Sequence, residues 1–192
     1  MDPKNGKRRV ARLLTNVLNP FFVFTALYAL VASFETDVLM AILYLCVEFA
    51  AAALVAGYVF LLRRRSRVGD FWISARHERL VPALVLLAAF VALLGVLALL
   101  GAPETLFGTT LSMGLAAVTV AATTLVWKAS AHSAVAGHAA VAGLIVLGPF
   151  GAVFALVLPV VLWSRVALGA HTVPQTLAGA VIGVAFAVVF LA

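Results

Sequence analysis

Three short segments of this chain hold the residue types that a bound anion would need. In one, Ser164 and Arg165 stand ahead of His171 with five residues between, and Gln175 follows after three more. Arginine offers a planar fork of N–H donors that matches carboxylate and phosphate oxygens. Histidine can attack as a nucleophile or move a proton near neutral pH. His171 and Gln175 are four apart, so they share a helix face if the last helix starts that early. A second segment reads Lys128-Ala129-Ser130-Ala131-His132-Ser133 at the opening of an apolar run, and a helix N-terminus with free N–H groups is a natural phosphate site. The third reads Arg76-His77-Glu78-Arg79-Leu80-Val81-Pro82, with Asp70 six residues ahead of Arg76. No metal-ligand spacing is present.

Composition says what kind of element must position these segments. Hydrophobic residues make up 65% of the 192, and charged residues only 10%. Soluble domains run near 25% charged, and a globule of this size has too little interior for so much apolar surface. An ordinary soluble enzyme, a disordered protein and a disulfide scaffold are excluded. The lone Cys46, inside an apolar run, reads as packing. At about 20 residues per crossing, the length holds six or seven spans and no second domain. The expectation is an all-α polytopic transmembrane bundle, with a basic amphipathic segment at 1–15 and a single membrane domain at 16–192.

Seven spans are expected near 16–34, 38–62, 80–100, 105–127, 133 to Gly148-Pro149, 150–165 and 173–191. The sixth is short, roughly 24 Å at 1.5 Å per residue. Ahead of the first, Val10, Leu13, Leu14, Val17 and Leu18 recur on one helix face, while Arg8, Arg9, Arg12, Asn16 and Asn19 fall mostly on the other. Such a helix suits an anionic leaflet, and Asn19-Pro20 is expected to kink its continuation into span 1. The stretch Met1 to Arg12 lacks the long apolar core and small-residue site of a cleaved signal peptide. With these spans, all thirteen Lys and Arg fall on one side and only Glu35, Asp37 and Glu104 on the other. The bias in basic residues makes that first side cytoplasmic. Topology and phosphate binding therefore account for the +6 net charge better than nucleic acid does.

In order and content the three segments resemble the signature of the type 2 phosphatidic acid phosphatase superfamily: K-x6-R-P, then P-S-G-H, then S-R-x5-H-x3-D, on a helical bundle. Ser164, Arg165 and His171 match the third motif, and Gln175 stands where the family has Asp. Ser130 and His132 match the second, with Ala129 for Pro and Ala131 for Gly. The first is the weakest, since no Lys stands seven residues before Arg76 or Arg79, and Pro82 follows Arg79 by three positions. The likeness covers 70–175, about half the chain.

The resemblance implies a metal-free and cofactor-free hydrolase acting on a membrane lipid phosphate through a phosphohistidine. Phosphatidic acid, phosphatidylglycerophosphate and isoprenoid mono- or diphosphates are the substrates it implies. His171 would be the nucleophile and His132 the proton donor, then the base. Arg165, Ser130, Arg76 and Arg79 would hold phosphoryl oxygens, with Lys128 in place of the missing lysine. Gln175 would orient His171 without the charge that Asp supplies.

Each residue also has a plainer reading. Thr172 and Gln175 form a capping-box pattern with Pro174 in the first turn. Arg63, Arg64, Arg65 and Arg67 read as a topology anchor touching anionic headgroups. His77 and Glu78 fit a solvated loop, and His138 an interhelical hydrogen bond. Glu48, near mid-span, is a functional candidate by its depth, or else is protonated or paired with His138 or a threonine. Two further functions stay open: a catalytically silent lipid-phosphate binder or transporter of the same fold, and a structural membrane protein.

Overall fold

Apolar helices with few internal partners decide the architecture. The computed structural model describes residues 3–67, 78 and 80–192. It consists of α1 (Pro3–Val17), α2 (Pro20–Glu35), α3 (Val38–Arg64), α4 (Leu80–Leu99), α5 (Glu104–Val126), α6 (Ala131–Leu147), a 3-10 turn (Gly148–Gly151), α7 (Ala152–Ala167) and α8 (Val173–Leu191), with no strand among the described residues. α4 is apolar all round yet buries only Pro82, Leu93 and Leu97, leaving Leu84, Val91 and Leu99 uncovered. A helix greasy on every face and still exposed belongs in lipid. By length and composition five stretches can cross a membrane, or six if the bent pair α1–α2 counts as one. The fold is an all-α polytopic membrane bundle.

One of those stretches, Ala131–Ala167, has 37 residues. A straight rod of that length would hold its ends about 55 Å apart. Instead, Lys128 Nζ just before it donates to the carbonyl of Ala170 just after it, at 2.9 Å. The stretch is a hairpin of two antiparallel helices, α6 and α7, folded at Gly148. That residue has φ +56, a left-handed conformation that glycine alone adopts freely. The expected division into separate spans at this point matches the fold.

From α2 onward, consecutive helices alternate in direction. Glu35 at the end of α2, Glu104 at the start of α5, Val146 late in α6 and Leu191 at the end of α8 all line one cavity. Phe34 also meets Phe150 in the hairpin turn, ring centroids 5.7 Å apart. Arg63 and Arg64 close α3, while Lys128 and Arg165 stand at the other end of the hairpin. The described basic residues therefore gather at the end away from Glu35, Asp37 and Glu104.

The chain bends by 45° between Val17 and Pro20, where Asn19-Pro20 is expected to kink it, and the bend is a break between two helices. Asn19 clamps the bend from both sides. Its Nδ2 donates to Asn16 O at 2.7 Å and its Oδ1 accepts from Phe22 N at 3.2 Å. Pro20 does not kink a continuous helix; it opens a new one, at a position where its missing N–H is no loss. The basic segment extends to Val17, two residues beyond the expected boundary at 15.

α6 occupies the centre, packed on α2, α5, α7 and above all α8. Small residues permit this. A Cβ on Gly183 would strike the Ala134 carbonyl oxygen, and one on Gly179 would strike that of Ser130. Lipid supplies no hydrophobic drive between helices, so close backbone approach is what joins them. Gly183→Ala is expected to destabilise the protein by about 1–3 kcal/mol through overpacking. Thermal unfolding in detergent checks this, and an unchanged midpoint would show that the interface is not tight there.

Two buried polar groups cross-link the interior. His138, fully buried on α6, shares a 2.7 Å hydrogen bond between Nε2 and Ser112 Oγ on α5. That is the interhelical role its depth suggested. Glu48 is 3% exposed, and its Oε1 accepts from Thr25 Oγ1 on α2 at 2.9 Å. Among the described residues Oε2 has no partner. Glu48 is thus paired with a threonine and not with His138. Removing a donor from a half-satisfied buried group leaves its full desolvation penalty. We expect Thr25→Val to lower stability by about 1–3 kcal/mol and Glu48→Gln, which still accepts the bond, to lower it less. Equal unfolding midpoints for Thr25→Val and wild type would contradict this.

Candidate functional site

The five-residue spacing between Arg165 and His171 has a local cause. α7 ends in a Schellman turn. Gly169 sits at φ +68, its N–H donates to Val166 O at 2.9 Å, and the Ala170 N–H returns to Arg165 O at 3.1 Å. The His171 N–H reaches the same carbonyl at 3.4 Å. The turn therefore sets the His171 backbone directly over the residue that carries the guanidinium.

The next helix starts too late for one expectation. Thr172 is the N-cap of α8, so His171 lies outside the helix and does not share its face with Gln175. The Gln175 Oε1 accepts from Thr172 N–H at 3.1 Å, completing the capping box. That oxygen is committed to the helix start, whereas the Asp of the resembled pattern would orient the histidine.

α6 begins beside α8. Ser130 caps α6, its Oγ accepting from Ser133 N at 3.3 Å and from Ser133 Oγ at 3.0 Å. Its own N–H donates to Gln175 O at 3.1 Å. With Gly179 closed onto the Ser130 carbonyl, the N-termini of α6 and α8 lie side by side and point the same way. Each carries about half a positive charge. Lys128 is half-buried, and by its bond to Ala170 O it ties the loop before α6 to the loop before α8.

His132, Arg165 and His171 come together here. His132 is 6% exposed and interacts electrostatically with both Arg165 and His171. Arg165 is 8% exposed. Its Nε has no hydrogen-bond partner, and among the described residues no carboxylate pairs with it. A buried guanidinium with no carboxylate beside it is costly unless an anion or further hydrogen bonds compensate it. Of the eight residues singled out from sequence, the fold assembles Lys128, Ser130, His132, Arg165, His171 and Gln175. Arg76 and Arg79, with Asp70 and His77, lie outside the described residues. Among the described residues no group of three or more His, Cys, Asp or Glu is placed to hold a metal ion.

Two contributors escaped the sequence reading. Thr15 on α1 meets Ser164, with Oγ atoms 3.0 Å apart, a contact over 149 positions that no local pattern could signal. Gly169 could have been found, since a glycine just past a helix ending in an apolar run is a stop signal. The two described cavities lie elsewhere. One of about 130 Å³ runs between α2 and α3 near Ala29 and Ile42, and one of about 390 Å³ opens at the acidic end beside Glu35 and Glu104.

These features define a polytopic membrane protein with Lys128, His132, Arg165 and His171 gathered at its basic end. The chain matches no protein-family profile, no curated protein and no solved structure.

Proposed function

We propose that the protein is a metal-independent phosphatase of membrane lipid phosphates, acting through a phosphohistidine. The observation that carries the reading is the buried Arg165, which has no carboxylate partner among the described residues and interacts with a His132 that also interacts with His171, beside two adjacent helix N-termini. In this mechanism Arg165 and the N-terminal ends of α6 and α8 hold the phosphoryl oxygens and stabilise charge developing on them. A His171 ring nitrogen attacks phosphorus as the P–O bond to the lipid breaks. His132 delivers its proton to the departing lipid oxygen. It then takes one from water, whose oxygen attacks the phosphohistidine and releases inorganic phosphate. Ser130 supports this geometry as the cap of α6, Lys128 by fastening the two loops, and Gln175 by capping α8. The substrate class is a phosphomonoester or diphosphate on an acyl or isoprenoid lipid, and the basic end faces the cytoplasm by the excess of Lys and Arg.

The Gln175 oxygen committed to the cap favours a second reading, a lipid-phosphate binder or transporter that keeps the anion cradle without turnover. A phosphate-release screen over lipid phosphates in detergent or vesicles separates the two, with wild type beside His171→Ala. Release by wild type alone supports the phosphatase. Binding of lipid phosphate with no release by either supports the silent protein.

A further inference from the structure

α1 has three faces, one more than its sequence pattern shows. Ala11 and Thr15 are buried, with Leu14 and Leu18 half-buried beside them, and this edge packs on α7. Arg8, Arg9, Arg12 and Asn16 form a polar, exposed edge. Val10, Leu13 and Val17 form a third, apolar and more than half exposed. The apolar positions that read as a single face are thus divided between bundle and surroundings. The Asn19 clamp fixes α1 at its 45° slant, carrying it past the end of α2.

The inner edge touches the site at one point. Ser164 Oγ donates its only proton to Val161 O at 2.8 Å. In the 3.0 Å contact between Thr15 Oγ1 and Ser164 Oγ, threonine is therefore the donor. Ser164 is fully buried, and Arg165 follows it in the same turn.

We propose that α1 is a lipid-sensing strap. Anionic headgroups hold its arginines while Val10, Leu13 and Val17 sink into the adjoining acyl region, and Thr15 transmits that seating to Ser164 and Arg165. Charge complementarity selects the occupant, because an arginine edge flanking an apolar edge at the basic end fits an anionic bilayer surface. Thr15 is a positioning residue: it touches no substrate and acts through Ser164. The link to turnover rests on the phosphatase reading, whereas the docking of α1 does not.

The test uses the full chain in nanodiscs of phosphatidylcholine alone or mixed with phosphatidylglycerol, following amide hydrogen exchange over residues 6–18. The mixture is expected to slow exchange about ten-fold or more. Replacing Arg8, Arg9 and Arg12 with Gln is expected to erase that difference. Thr15→Val is expected to speed exchange about five-fold in both lipids, and Thr15→Ser to restore it. Equal exchange in the two lipids would overturn the docking, and unchanged exchange in Thr15→Val would overturn the coupling. With a lipid phosphate as substrate, kcat/KM is expected to rise with phosphatidylglycerol for wild type and not for the triple variant. Absence of any release defeats the phosphatase reading, and the exchange measurements still decide the strap.

Discussion

His171→Ala is expected to abolish phosphate release from lipid phosphates, lowering kcat by at least ~10³-fold while leaving the fold intact. In the proposed mechanism the loss is large because, among the described residues, no other histidine is placed to serve as the nucleophile. His132 is enclosed within α6, and replacing it would remove the proton donor as well. Alanine retains the backbone N–H that His171 donates to Arg165 O, and a thermal melt of the variant beside wild type separates lost chemistry from misfolding. Trapping the enzyme with radiolabelled lipid phosphate should yield an acid-labile phosphoprotein from wild type and none from His171→Ala. Release that persists in His171→Ala would remove the phosphohistidine from the mechanism.

Arg165→Met is expected to change activity and stability in opposite directions. Loss of the phosphoryl clamp should lower kcat/KM by roughly 10²–10³-fold, the scale for removing one preorganised charged donor. Among the described residues, however, the buried guanidinium has no carboxylate partner. Replacing even a buried ion pair by well-packed apolar side chains is often neutral or stabilising, by about 1–4 kcal/mol, and a buried charge with no carboxylate beside it has less Coulombic attraction to lose. The ligand-free variant should therefore melt at or above the wild-type temperature. Inorganic phosphate should raise the midpoint of wild type through linkage and leave that of Arg165→Met unmoved. A variant that melts well below wild type would show that Arg165 is a structural cation, and the anion-site reading would fall with it.

Several parts of this fold were legible along the chain. α3, α4, α5 and α8 lie within two residues of their expected spans, because a bilayer imposes a length and an apolar content that a run of residues either meets or does not. The cap of α8 was legible for a related reason. Thr172, Pro174 and Gln175 interact within one turn, so their pattern specifies their contacts. That same locality undid the expectation for Gln175 as a partner of His171, since a side-chain oxygen committed to the cap is not available to orient the ring.

What the sequence determined by itself is local or one-dimensional: a membrane bundle, its basic residues gathered at one end, and three segments whose residue types suit an anion, in order. Only the tertiary structure decided which helices meet. In lipid every apolar helix resembles its surroundings, so hydrophobicity cannot choose partners. The choice falls to close approach at Gly179 and Gly183, and to hydrogen bonds such as His138 with Ser112, Glu48 with Thr25 and Thr15 with Ser164. Those contacts depend on shape in three dimensions, which a periodicity does not carry. They set His132 of α6 beside Arg165 and His171, and so joined two of the three segments into one cluster.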